Sequence, residues 1–405
     1  MTQMIHPASE RNALSPDIQQ GTPEPGSNSQ FSVAVGPGGG VLRSIQIGAL
    51  PLEAGGELPS VTMAFESWGT LNAAGDNAVL IQHALTGSTH VSRGESEEDG
   101  WWEGLVGPGE VIDTNKYFVV SANMVGGCYG STGPSSIADD GRPYGSRFPF
   151  VTIRDSVHAE ARLADKLGVT AWYAVVGGSM GGARALEWAA TYPARVQRCA
   201  VVASCAASTA EQIAFAQAQV LAIRQDPNFA GGDYYDGAPP TSGLGLARRI
   251  AHITYRSEAE LDYRFGRTAQ EDAGTILHER MAPRAGGKSL GRYQVESYLD
   301  HQAHKLVGRF DANSYIAISE ALMSHDVSRG RGTLEESLAV TAGIKFVVAA
   351  VNSDRLYFPG QSVALAAALP GQVNPQIIDS PIGHDGFLTE VAAVGEMLRE
   401  SFFID

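Results

Sequence analysis

A chain of 405 residues can build a large core, and it reads as one enlarged domain or two. Its 29 Lys and Arg against 44 Asp and Glu leave a formal net charge of −15, and no long basic stripe runs along it, which argues against a nucleic-acid partner. No stretch approaches the roughly 20 apolar residues that span a bilayer, the N-terminus has no apolar secretory core, and Cys128, Cys199 and Cys205 are odd in number without C-x-x-C spacing. The expectation is a soluble, cytoplasmic protein with no membrane partner, disulfide framework or metal cluster.

Residues 1–30 are rich in Pro, Ser, Gly, Gln and Asn and show no sustained periodicity, so they read as a disordered extension. Short apolar runs then alternate with helical patterns: NAVLIQHA from Asn77, YFVVSANM from Tyr117, AWYAVV before Ser179, RCAVVAS from Arg198 and KFVVAAV from Lys345. Continuous rather than alternating apolarity is what a strand buried on both faces of a parallel sheet requires. The pattern predicts an α/β fold, a mostly parallel central sheet flanked by helices. Between residues 208 and 331 the text turns helical, as in AEQIAFAQAQVLAIRQ, and is read as a helical lid inserted between core segments 31–207 and 332–405.

With 47 glycines, G-x-S-x-G arises by chance somewhat less than once, and it occurs twice, around Ser179 and around Ser289. Context separates the copies. A nucleophile elbow needs a strand leading in, a helix leading out and small residues at the turn, and VVGGSMGGARALEWA has all three. Ser289 follows HERMAPRAGG, which is no strand, and reads as an exposed loop.

A serine hydroxyl needs a general base and a carboxylate to orient it. With an elbow of this kind the acid follows the serine in the chain, and the histidine comes last. Of the histidines after Ser179, only His384, in IIDSPIGHDGFLTE, follows the last core-like strand; the others fall in the helical stretch. KFVVAAVNSDRLYFP runs past its apolar segment into Asp354, the candidate orienting acid. All three residues then stand at C-terminal ends of strands, where open α/β sheets place their sites. The backbone N–H groups of Met180, after the nucleophile, and Leu85, in LIQHALTGSTHV, are the candidate oxyanion donors. His83 precedes the elbow, breaks that order and is read as structural or supporting.

Beyond the triad, the ordered blocks HALTGS at His83, GWWEGLVGPG at Gly100, GGCYGSTGPSS at Gly126, FPFVTIRD at Phe148, GGSMGGARALEW at Gly177, SDRLYFP at Ser353 and GHDGFL at Gly383 resemble the homoserine O-acetyltransferases of methionine biosynthesis. The likeness runs from about Ser44 to the C-terminus. It implies an α/β-hydrolase fold and transfer of acetyl from acetyl-CoA to the hydroxyl of L-homoserine through an acyl-serine, with no bound cofactor or metal and a homodimeric assembly. It also implies Arg248, in GLGLARRIAHITYRS, for the homoserine carboxylate and Asp385 for its amino group, with Tyr255 lining the pocket. Arg249 competes with Arg248, and spacing alone does not choose between them. Many members read GGSMGGMQ where this chain has Ala183-Arg184, a pair that matches actinobacterial members, and ALMSHDVSRGRG near Ala321 also departs from the commoner form. The competing readings are succinyl transfer, serine as acceptor, an esterase-type hydrolase and an inactive binding module.

Overall fold

The computed structural model describes residues 39–268 and 293–404; the predicted extension 1–30 and the Ser289 motif lie outside them. Among the described residues the main sheet has eight strands. In chain order they are β1 (Arg43–Pro51), β2 (Glu57–Trp68), β3 (Ala78–Gln82), β4 (Phe118–Ala122), β5 (Trp172–Gly178), β6 (Arg198–Val202), β7 (Lys345–Val351) and β8 (Gln376–Ile378). They lie side by side as β1-β2-β4-β3-β5-β6-β7-β8. Every pairing from β4 to β8 is parallel, while β1 and β2 add an antiparallel edge.

The five apolar runs supply β3 to β7, and Val79, Ile81, Val119, Val176, Val202 and Val351 are fully buried there. Burial on both faces by flanking helices explains why those runs carry no polar alternation. Two of the helices flank the elbow. α1 (Ile153–Leu167) starts at a reciprocal capping box between Thr152 and Asp155 and stops at Gly168, which takes the left-handed conformation at φ 79°. α2 (Met180–Thr191) begins directly after Ser179.

Between β6 and β7 the described residues form helices and no strand of the main sheet. They are α3 (Ala210–Arg224), α4 (Thr241–Tyr255), α5 (Glu258–Phe265), α6 (Gln294–Val307), α7 (Ala312–Met323) and α8 (Leu334–Leu338). A second apolar cluster joins them to the core, with Val220, Ile223, Leu244, Leu306 and Tyr315 packed beside Met124 and Met180. After β7 come α9 (Pro359–Ala368), β8, α10 (Gly386–Thr389) and α11 (Val391–Phe402). One helix and one strand thus separate Asp354 from His384. No described helix is long and apolar enough to cross a membrane.

Candidate active site

Ser179 stands in the turn between β5 and α2 at φ 56° and ψ −126°, outside the regions a side chain ordinarily adopts. The turn closes only because its neighbours are small. A Cβ on Gly181 would lie 2.1 Å from the carbonyl oxygen of Gln82, and one on Gly178 would lie 2.3 Å from the Phe387 ring. Ser179 is 7% exposed, and its Oγ lies 2.8 Å from His384 Nε2.

On the far side of the imidazole, His384 Nδ1 lies 2.6 Å from Asp354 Oδ2. The other carboxylate oxygen of Asp354 accepts from the backbone N–H groups of Leu356 at 2.8 Å and Tyr357 at 2.9 Å, which fixes its plane. Burial opposes protonation of His384, but the charge and hydrogen bond of Asp354, with a contribution from Asp385, outweigh it and hold the imidazole above its usual range. Rings enclose the imidazole: Tyr357 stacks on it at 5.0 Å and Tyr255 lies 5.8 Å away. Tyr357 was not singled out from the sequence, although it belongs to the quoted SDRLYFP block.

Leu85, Ser179, Tyr255 and Tyr357 share a pocket of about 50 Å³ with Gln212, Phe215, Ala216, Leu322, Met323 and Leu356 among its other walls. Met180 N–H is the first of α2 and has no partner within the helix. Among the described residues it donates to no other backbone acceptor, and neither does Leu85 N–H. His83 lies beneath the Leu85 loop. Its Nε2 accepts from Met124 N–H at 3.1 Å and its Nδ1–H donates to Ala84 O at 2.8 Å. Burial, with Arg184 adding to it, depresses its pKa to about 3, and both ring nitrogens are already committed to backbone groups.

The two adjacent arginines on α4 part company. Arg249 is taken up by Asp300, with bonds of 2.6 and 3.1 Å. Arg248 makes only a 3.4 Å bond to Thr86, its guanidinium lies 5.7 Å from the Tyr255 ring centre, and its Nε is buried with no hydrogen-bond partner among the described residues. Asp385, next to His384, is within ion-pair distance of Arg256 at 3.3 Å, though not aligned as a hydrogen bond. Burial pushes its carboxyl up, against the pull of Arg256, His384 and Arg248. The end of α4 is stitched to this loop, since Ser257 N–H donates to Ile382 O at 2.8 Å and Asp385 N–H to Tyr255 O at 3.2 Å. Arg256 was not anticipated from the sequence, which carries no sign that it would face Asp385. Among the described residues, no three His, Cys, Asp or Glu side chains gather where they would hold a metal ion.

Residues 77–391 match the family model of the α/β hydrolase fold. The chain is 54% identical over 357 residues to a homoserine O-acetyltransferase of Thermobifida fusca, covering 87% of this chain and 90% of that one. It is 47% identical over 369 residues to the enzyme of the same name from Mycobacterium tuberculosis, covering 90% and 94%. The chain belongs to the homoserine O-acetyltransferase family. Among solved structures, the homoserine O-acetyltransferase from Bacillus anthracis superposes with a TM-score of 0.82 at 26% identity, over 89% of this chain and 97% of that one. An acetylester hydrolase from Corynebacterium glutamicum gives 0.74 at 27% identity, over 90% and 96%. The homoserine O-acetyltransferase architecture is therefore shared with hydrolases, and the fold by itself does not separate transfer from hydrolysis.

Proposed function

We propose that this chain transfers the acetyl group of acetyl-CoA to the hydroxyl of L-homoserine, giving O-acetyl-L-homoserine and CoA, through an acyl-enzyme on Ser179 in methionine biosynthesis. The observation that carries the mechanism is the continuous path from Asp354 through His384 to Ser179 Oγ, with bonds of 2.6 and 2.8 Å. His384 Nε2 takes the Ser179 proton as Oγ attacks the thioester carbonyl. The oxyanion develops toward the N–H groups of Leu85 and Met180. Collapse breaks the C–S bond, and the proton on His384 passes to the departing thiolate, leaving acetyl-Ser179 and CoA. In the second half-reaction His384 takes the homoserine hydroxyl proton, the alkoxide attacks the acyl-serine, and the proton returns to Ser179 Oγ.

The acceptor is held by opposite charges at its two ends, Arg248 on the carboxylate and Asp385 on the ammonium, with Tyr255 against its chain. Arg249 is already occupied by Asp300, which favours Arg248. The pocket beside Ser179 is walled largely by apolar groups and includes no Lys or Arg among its lining residues, which favours acetyl over the charged end of a succinyl group. Helices α3 to α7, within residues 208–331, act as a lid that keeps water from the acyl-enzyme, on a core of residues 31–207 and 332–405. Acetyl-CoA is a co-substrate and no cofactor or metal is required. A homodimer in the cytoplasm is the assembly and location this reading implies.

Intact-mass measurement after mixing the protein with acetyl-CoA alone tests the reading. The expected result is one added acetyl on Ser179, removed on adding homoserine with O-acetylhomoserine as product. The similarity to esterases supports hydrolysis as the second reading. Thiol release from acetyl-CoA at the same rate with and without homoserine would establish it in place of transfer.

A further inference from the structure

Arg184 lies five residues beyond Ser179 on α2, and its side chain is fully buried. Its Nε donates to Glu160 Oε1 at 3.1 Å, Nη2 bonds the same oxygen, and Nη2 also reaches Ala122 O at 3.3 Å. Glu160, on α1 and 1% exposed, uses its second oxygen to accept from Gln82 Nε2 and Trp188 Nε1, each at 2.6 Å. A buried pair of this kind returns little net stability, because desolvating two charges offsets their attraction. Arg184 Nη1 is left without a partner among the described residues, which adds to the cost. Geometry is what the pair supplies.

Its partners end the two strands beneath the oxyanion loop. Gln82 is the last residue of β3, and His83, Ala84 and Leu85 follow it. Ala122 is the last residue of β4, and Asn123 and Met124 follow; Met124 N–H holds His83, whose other nitrogen holds Ala84 O. The main chain of Gln82 in turn abuts Gly181, where a Cβ would lie 2.1 Å from its carbonyl oxygen. One guanidinium on the helix that carries Met180 thus reaches the Leu85 loop by two routes, through Glu160 and Gln82 and through Ala122, Met124 and His83.

We infer that Arg184, acting through Glu160, is a positioning residue for the oxyanion hole: it sets the spacing between the N–H groups of Leu85 and Met180. The inference rests on the assignment of those two groups under the proposed function. It gives the Ala183-Arg184 variant of the elbow a role in acylation rather than in recognition of the acceptor.

The test uses p-nitrophenyl acetate, whose acylation of Ser179 requires the hole but neither CoA nor homoserine. A methyl trifluoromethyl ketone accompanies it, since this adds to Ser179 as a hemiketal whose oxyanion occupies the hole. In Arg184→Met, acylation is expected to fall about 10- to 100-fold, since misplacing an oxyanion donor costs rate on that order. Affinity for the ketone should weaken in parallel, while the KM for homoserine stays within about twofold. Arg184→Lys, which keeps the charge but not the two-sided reach, should recover part of the loss, and Gln82→Met should lose in the same direction by less. If Arg184→Met does not fold because Glu160 is left as a lone buried charge, Arg184→Met/Glu160→Leu has neither charge and Gln82→Met removes none. A folded double variant, or Gln82→Met, with acylation and ketone affinity equal to the native chain overturns the inference, as does a loss confined to homoserine KM. Native protein that is acylated by the ester but releases no thiol from acetyl-CoA sinks the transferase reading alone. Native protein acylated at Ser179 by neither reagent removes the oxyanion assignment, and this inference with it.

Discussion

At the scale of single residues, the protonation of His384 makes the sharpest claim. A base must be neutral to work, and Asp354 holds this one above the ordinary value near 6.5. Acylation should therefore decline as pH is lowered through a limb lying above 6.5. The same raised pKa contributes native stability that is fully present below about 6.5 and is lost as pH rises through the native value. In Asp354→Asn the limb should move to lower pH and the rate should fall by roughly 10³- to 10⁴-fold; an unchanged limb in stopped-flow acylation would assign the titration to another group. The two α4 arginines give a second contrast. Arg248→Ala should raise the KM for homoserine at least about tenfold, as expected from losing a charge-assisted pair, with the acetyl-CoA half-reaction intact. Arg249→Ala removes a pair that is roughly a third exposed, so it should cost under about 1 kcal/mol and leave that KM alone. These neighbours read alike in the sequence because nothing near them in the chain announces Asp300, 51 residues away from Arg249. The hydrogen-bonded line of Ser179, His384 and Asp354 was legible because its members were sought in one order, each after a strand.

Elements bring their own constraint where β5 turns into α2. Gly181→Ala places a methyl 2.1 Å from the Gln82 carbonyl, so β3 and α2 must separate. The expected cost is about 1–3 kcal/mol in urea denaturation, together with loss of acylation, because the same movement opens the oxyanion hole. Full stability and activity in that variant would show that the turn has more room than its packing indicates. The strands that built this part of the sheet were legible as apolar runs since both their faces are covered. β1 and β2 were not: β1 mixes exposed positions with half-buried and buried ones at the sheet edge, and β2, though buried from Met63 to Trp68, carries Glu66 and Ser67 there, so no continuous apolar run marks either. The cluster beneath the elbow was equally hidden. Arg184 and Glu160 are charged residues that composition assigns to the surface, and the contact between Glu160 and Gln82 spans 78 positions.

Across the whole molecule, Glu187 of α2 ties the helical stretch to the core. Its Oε1 accepts from Arg154 of α1 and from Arg331, just before α8, each at 2.7 Å, and from Thr191 at 2.9 Å. Arg154 and Arg329 then share Glu53, which follows β1. Glu187→Ala leaves two partly buried guanidiniums short of a partner and should cost about 2 kcal/mol, read as a lower urea midpoint at unchanged slope. A changed slope would mean that the helices unfold apart from the sheet.

The bond between Ser179 and His384 spans 205 positions. β6 and β7 lie side by side in the sheet, yet the helical stretch comes between them in the chain. Contacts that bridge such separations close late, since the intervening chain must first lose its freedom. During synthesis, which runs from N to C, the elbow is made 205 residues before its proposed base. The serine is therefore born without its base and stays chemically idle until the C-terminal segment docks. A chain ending at residue 380 should take no acetyl from acetyl-CoA even where its elbow has formed, so arming the nucleophile doubles as a check that folding has run to completion.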